Sequence, residues 1–179
     1  MSQSRFSVGH GLIWQGDQPV LGVFMEEDNR RGVKSIFIDK EGRWFYKGLE
    51  MVRRDIVLLF YGNLHRDRQG QYLIRMGKEE SYLEVEDTPF VISRVDLRCH
   101  GEAEACFHVW LNDDSREVLN LDTLSVGKGN VLYCSVKEGA FPARFQRPAY
   151  YQLSEHVQEE NGKYLISLNG KRYLIHQEV

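Results

Sequence analysis

Proline is scarce in this chain, four residues in 179, and cysteine scarcer still, with three. Prolines at positions 19, 89, 142 and 148 are too dispersed to form an extended proline-rich hinge, so no such linker divides the sequence. Cys99, Cys106 and Cys134 are odd in number and show no Cys-x-x-Cys spacing. That usage argues against a disulfide framework and fits thiols in a reducing compartment, so the cytoplasm is the expected address. Long apolar runs are missing as well. The longest, Ile56 to Tyr61, falls far short of the ~20 residues that span a bilayer. The polar start Met1-Ser2-Gln3-Ser4-Arg5-Phe6 leads into no apolar h-region, and no secretory signal is expected. Positive charge is not in excess either: 23 Lys and Arg against 26 Asp and Glu give a net charge of -3. Without bulk attraction for phosphate backbones or anionic lipid, neither nucleic acid nor membrane is an expected partner.

Several catalytic signatures are absent too. No Gly-x-Gly-x-x-Gly, Gly-x-Ser-x-Gly or His-Glu-x-x-His occurs, and Gly127-Lys128-Gly129-Asn130 lacks the spacing and the hydroxyl residue of a P-loop.

What is present is ordinary globular composition, 42% hydrophobic and 27% charged, and a pattern that recurs. The strand Ile36-Phe37-Ile38 runs into Lys40-Glu41-Gly42; Leu132 to Val136 runs into Lys137-Glu138-Gly139. The first is followed by Trp44-Phe45-Tyr46 and an apolar helix expected from Arg54 to about His65, with Ile56, Leu59, Phe60 and Leu64 on one face. The second is followed by Phe141 and Phe145 and a helix expected from Pro148 to about Glu160. There proline suits the first turn, Tyr150, Leu153 and Val157 form the stripe, and Asn161-Gly162 is the stop. A hairpin follows each helix: Gly70-Gln71-Tyr72-Leu73-Ile74 with Gly77-Lys78, and Gly162-Lys163-Tyr164-Leu165-Ile166 with Asn169-Gly170. Strands are expected at Phe90–Arg98, Ala103–Leu111 and Arg116–Asp122, and shorter ones at Leu12–Trp14 and Val20–Met25. The fold class is therefore α+β: two repeated strand–helix–hairpin units with a β-rich middle segment and mostly antiparallel sheet. The expected organisation is an amino-terminal extension over 1–33, a first repeat over 34–98, and the β-rich segment with the second repeat over 99–179.

The blocks Gly42-Arg43-Trp44-Phe45-Tyr46-Lys47-Gly48, the helix led by Arg53 and Arg54, Gly70 to Ile74 and Val85-Glu86-Asp87-Thr88-Pro89-Phe90 together resemble the bacterial domain of unknown function 1285 family. Arg147-Pro148-Ala149-Tyr150-Tyr151 is similar to that family's carboxy-terminal part, and the likeness runs over roughly residues 34 to 175. The resemblance implies a fold with repeated motifs and a role in signalling. It brings no established catalytic activity and no agreed active site, and no cofactor is expected.

Three groups of residues are candidates for chemistry. Cys99, His100, Cys106 and His108 carry zinc-ligating atoms, but the spacing matches no zinc knuckle and strand alternation sets Cys99 and His100 on opposite faces, so no metal site is expected. Glu79, Glu80, Glu84, Glu86 and Asp87 could do general acid–base work, or form a solvated strand face ending in an Asp-capped turn. Arg53, Arg54 and Arg147 stand at helix starts, where unpaired N–H groups favour anions; alternatively each locks its unit by pairing with an acid such as Glu50 or Glu86. The expected ligand-binding set is Arg53, Arg54, Arg147, Glu86 and Asp87, with no catalytic and no metal-ligating residue. The functional expectation is a non-enzymatic module that binds a small anionic ligand or a protein partner. A metal-dependent or carboxylate-based hydrolase is the alternative, and a homodimer formed through strand edges is also open.

Overall fold

The computed structural model describes residues 13–15, 18–20, 35–98 and 104–177. It is a mixed α/β chain, mostly antiparallel strand, with two α-helices among the described residues. Two compact units divide it. One holds Trp44–Glu84 with the residues up to Phe37, and the other Ile38–Arg43 with Val85 onward. Of the amino-terminal expectations, the described part is a short antiparallel pair, β1 (Ile13–Gln15) and β2 (Gln18–Val20). Leu12 and the part of the expected strand Val20–Met25 beyond Val20 lie outside the described residues.

In the first unit, β3 (Ile36–Ile38, its last residue in the second unit), β4 (Trp44–Tyr46) and β5 (Leu49–Glu50) lead into α1 (Arg54–Gly62). Then follow β6 (Leu64–Arg66), β7 (Tyr72–Met76) and β8 (Glu79–Val85), and the six strands form one sheet in the order β5-β4-β3-β8-β7-β6. Helix α1 buries Ile56, Val57, Phe60 and Tyr61, a stripe rotated from the expected Ile56-Leu59-Phe60-Leu64. It also ends at Gly62 rather than near His65, because Leu64 is buried on a strand that pairs with Ile74. Trp44 fills the space beside α1, its ring 5.7 Å from that of Phe60 and 5.0 Å, edge-on, from that of Tyr61. On β8 the alternation leaves Glu80, Tyr82 and Glu84 in solvent and buries Ser81 and Leu83.

The second unit is built on β9 (Phe90–Arg98), β10 (Cys106–Leu111), β11 (Arg116–Val118), β12 (Ser125–Val126), β13 (Leu132–Val136), β14 (Phe141–Phe145) and a two-residue β18 (His176–Gln177). Their order in the sheet is β11-β10-β9-β14-β13-β12-β18, antiparallel except at β9–β14 and β12–β18. The third expected strand is shorter than Arg116–Asp122, since Leu121–Thr123 is a 3₁₀ turn capped by the Asn120 side chain. Helix α2 (Arg147–Ser154) starts with proline in its first turn and buries Ala149 and Leu153. It packs on β9, where the Gln152 side chain accepts the Val95 N–H at 2.8 Å.

The second helix does not continue to Glu160. Residues Val157–Glu160 are strand β15, paired with β16 (Lys163–Leu168), which pairs in turn with β17 (Lys171–Leu174). Asn161 and Gly162 take φ of 51° and 74°, as do Asn169 and Gly170, so both Asn-Gly pairs are two-residue hairpin turns. Asn161-Gly162 is thus a strand reversal where a helix stop is expected, because the Glu160–Lys163 pairing satisfies the backbone that a helix end would leave open.

Candidate functional site

The expected ligand-binding residues fall into different surroundings. Arg53 immediately precedes α1 and its guanidinium meets Asp55 at 2.5 Å, both side chains exposed. The hydrogen bond to Asp55 raises the arginine pKa and lowers that of the acid. The Arg53 partner is therefore an acid within the helix's own first turn. Arg54 is the first, exposed residue of α1, and Arg147 the first, exposed residue of α2. The Arg147 side chain makes no hydrogen bond or ion pair among the described residues. Glu86 accepts the Lys40 N–H at 2.9 Å while its own N–H donates to the Ile38 carbonyl, which closes the turn before β4.

Asp87 is differently placed. It is half-buried, takes a hydrogen bond from Arg144 Nη1 at 2.9 Å, and accepts from the Tyr133 hydroxyl at 3.0 Å. Beside it Thr88, buried, donates to the Phe90 carbonyl at 2.8 Å and accepts the Arg144 N–H at 3.1 Å. Asp-Thr-Pro therefore organises the entry into β9 by charge and hydrogen bonding, and Asp87 gathers Arg144 and Tyr133 from the neighbouring hairpin.

These residues edge a cleft of about 600 Å³ within the second unit, lined by Asp87, Thr88, Thr123, Ser125, Lys128 and Ser135 among others. Thr123 Oγ1 accepts the Ser135 N–H at 3.0 Å and donates to the Asn120 carbonyl at 2.8 Å, so that part of the lining is held by hydrogen bonds at both ends. The rim residue Lys128 is exposed and has no partner among the described residues. It sits in a loop where Gly129 and Asn130 both have positive φ, 71° and 58°. Cys134, at the back of the cleft, is buried; desolvation and then the charge of Glu117 push its thiol up to about 12, so it stays protonated and poorly nucleophilic. The cleft residues other than Asp87 went unrecognised in the sequence because hydroxyl side chains scattered over β12, β13 and the 3₁₀ turn carry no spacing signature. A larger open trough of about 690 Å³ runs along β9 and α2, past Asp96, Arg98, Glu155 and His156.

Of the zinc-type residues, Cys99 and His100 lie outside the described residues. Cys106 and His108 share one face of β10, with Sγ 3.5 Å from Nε2. Among the described residues no group of three or more His, Cys, Asp or Glu is placed to hold a metal ion. The carboxylate group is dispersed: Glu80 pairs with Arg75 at 2.7 Å, and Glu84 stands exposed on β8. No helix among the described residues is long and apolar enough to cross a membrane.

Architecture places the chain among mixed α/β proteins built mainly from antiparallel sheet. Two solved structures share that architecture. A DUF1285 family protein from Silicibacter pomeroyi DSS-3 superposes with a TM-score of 0.67 at 21% identity, over 79% of each chain. A DUF1285 family protein from Shewanella baltica OS155 gives 0.58 at 18% identity, over 69% of this chain and 92% of that one. The chain thus has a DUF1285-like fold, in agreement with the resemblance read from its motifs. No family model and no curated protein sequence matches it.

Proposed function

We propose that the protein is a non-enzymatic binding module that takes a small anionic ligand in the cleft beside Asp87. One observation carries the reading. The cleft presents hydroxyl side chains together with the cation of Lys128, unpartnered among the described residues, while its acid, Asp87, is already engaged by Arg144 and Tyr133. A ligand anion entering there meets one open positive charge and a negative charge already compensated, and the Ser135 hydroxyl is the donor left to orient it, since those of Thr88, Thr123 and Tyr133 are spent within the protein. We also read the two hairpin–helix–three-strand runs as copies of one motif, supported by the matching Gly70–Ile74 and Gly162–Ile166 segments. A role in signalling and a cytoplasmic address accord with this reading.

The test is a thermal-shift screen against nucleotides, phosphorylated metabolites and small carboxylic acids, followed by titration calorimetry. A ligand held at 100 times its Kd adds about 2.7 kcal/mol of stability, enough for a shift of several degrees. Lys128→Ala is expected to weaken the hit at least tenfold while leaving the ligand-free Tm unchanged. Equal binding by wild type and Lys128→Ala, or no shift from any anion, overturns the proposal.

A further inference from the structure

A second surface of the same unit combines charge and aromatic area in a way that the cleft does not use. On β10 the alternation is strict: Phe107, Val109 and Leu111 are buried, and Cys106, His108 and Trp110 face the other way, half-exposed. The cross-strand register sets Trp110 opposite Arg94 on β9 and Arg116 on β11, His108 opposite Asp96 and Val118, and Cys106 opposite Arg98. A bulge fixes this arrangement. Leu111 pairs with Ile92 and Trp110 with Arg94, so Ser93 is the extra residue, and beyond it Arg94, Asp96 and Arg98 lie on the Trp110 face.

The result is one indole ring with three guanidinium groups about it, Arg94 at 4.7 Å, Arg116 at 5.8 Å and Arg98 at 5.9 Å from its centroid. Cation–π attraction holds these side chains against the sheet and lowers the entropy lost when they bind an anion. Their charges are not equally committed. Arg94 grips Asp96 with two bonds, at 2.6 and 3.1 Å, Arg98 approaches the same carboxylate only at 3.5 Å, and Arg116 pairs with no acid among the described residues. About two net positive charges therefore stand on a flat, exposed face in a chain whose net charge is -3. Beside them Val118 is 58% exposed on β11, which ends the sheet.

We propose that this face is a docking surface for an acidic, extended segment of a protein partner. Carboxylates of the segment would meet Arg98 and Arg116 through charge-assisted, two-pronged hydrogen bonds, and alternate apolar side chains would cover Val118 and the indole edge. A single-stranded nucleic acid fits less well. Its phosphates need a continuous basic track, whereas this face offers three arginines, one of them neutralised, and the ring on which a base would stack is already flanked by guanidinium groups.

The experiment uses the full chain and fluorescence anisotropy. The probes are fluorescein-labelled peptides in which glutamate alternates with valine, leucine or tyrosine, and a labelled oligothymidine of similar length. Peptide binding is expected at low salt, weakening as ionic strength rises. Arg116→Glu and Arg98→Glu should each reduce it at least tenfold, and Trp110→Ala should reduce it severalfold. Arg75→Glu, an equal charge change in the first unit, should leave it unaltered, and circular dichroism checks each variant's fold. If a variant is misfolded, Arg116→Gln replaces it with the same expected direction. No peptide binding, equal loss from Arg75→Glu, or preference for the oligothymidine overturns the proposal.

Discussion

Two stretches of this chain run from paired strands through a helix into three antiparallel strands, the first with an additional strand, β5, ahead of its helix, and they pair their strands differently. In the first, the closing strand β8 lies beside β3, so hairpin and meander become a single six-stranded sheet. In the second, the meander β15-β16-β17 is a sheet of its own, and the hairpin strands β13 and β14 pair with β12 and β9 instead. The burial of the helices differs as well. Helix α1 buries four apolar residues in nine positions and stacks Phe60 and Tyr61 on Trp44, whereas α2 buries Ala149 and Leu153 and leaves Tyr151 63% exposed. A similar succession of elements thus does not by itself fix how much of a helix is buried.

Truncating the most deeply buried large side chain of each helix gives the largest effect and the most direct way to break this comparison. Phe60 is 1% exposed and touches an aromatic cluster that cannot collapse readily around a void. Phe60→Ala is expected to cost about 3–5 kcal/mol. Leu153 is fully buried but sits on a short helix over β9, and Leu153→Ala should cost nearer the low end of about 2–5 kcal/mol. Urea titration followed by circular dichroism measures both. A larger loss from Leu153→Ala would mean that the second helix, not the first, is the more tightly packed.

The two Lys-Glu-Gly turns sharpen the contrast at a smaller scale. They read alike and are built differently. Gly42, φ 79°, ends a turn closed by Gly42 N–H to the Asp39 carbonyl, and Asp39 also salt-bridges Arg43 at 2.6 Å. Lys137, Glu138 and Gly139 form a left-handed succession, with φ of 53°, 58° and 86°. A Cβ on Gly42 would come within 2.3 Å of Asn112 Nδ2 and 2.9 Å of Val91 Cγ2; on Gly139 it would meet nothing within 4 Å. Both alanine substitutions carry a left-handed penalty of about 1–2 kcal/mol. Gly42→Ala must also displace the Asn112 amide, whose Oδ1 accepts the Val91 N–H at 3.0 Å. Leaving that N–H unpaired adds about 1–3 kcal/mol. The expected order is Gly42→Ala well below Gly139→Ala in thermal stability, and equal losses would show that the Asn112 contact moves aside at little cost.

How much of this was legible in the residues follows from the range of each signal. A run of strand-forming residues bounded by turn signals locates β9 to the residue, Phe90–Arg98, and Asn169-Gly170 specifies its own turn, because both signals are local. The helix ends were misjudged because Leu64 and Val157 fit a helical stripe as well as a strand, and only their partners Ile74 and Ile166 decide between the two. The cleft was legible only at Asp87, whose Asp-Thr-Pro context marks a structured turn. Its hydroxyls, and the arginines around Trp110, are brought together by sheet register and by the bulge at Ser93, which depend on contacts far apart in sequence.

The smallest expected effect concerns where pH acts. The ion pairs of the first unit, Arg53–Asp55 and Arg75–Glu80, are about half exposed and contribute little to stability. In the second unit Lys137 reaches Asp113 at 2.7 Å and Glu117 at 3.0 Å, donates to the Ser115 hydroxyl, and is largely shielded. Burial pushes the Asp113 carboxyl up, but the bonds from Lys137 and Ser115 outweigh it and hold its pKa below the ordinary 3.8. For Lys137, burial lowers and the two acids raise, and the acids win, leaving it above 10.5. A depressed acid stabilises the fold above its ordinary value and loses that contribution as pH falls through the lowered one. A raised base stabilises below its ordinary value and loses it as pH climbs through the raised one. Stability from this cluster should therefore be flat between about pH 4 and pH 10 and fall on both sides. Asp113→Asn should cost about 1 kcal/mol at neutral pH, less than a fully buried charged hydrogen bond because solvent reaches the lysine, and it should flatten the acid arm of the curve. Chemical denaturation at a series of pH values measures this. An unchanged acid arm in Asp113→Asn would assign the pH dependence to other carboxylates and remove the electrostatic difference between the two units.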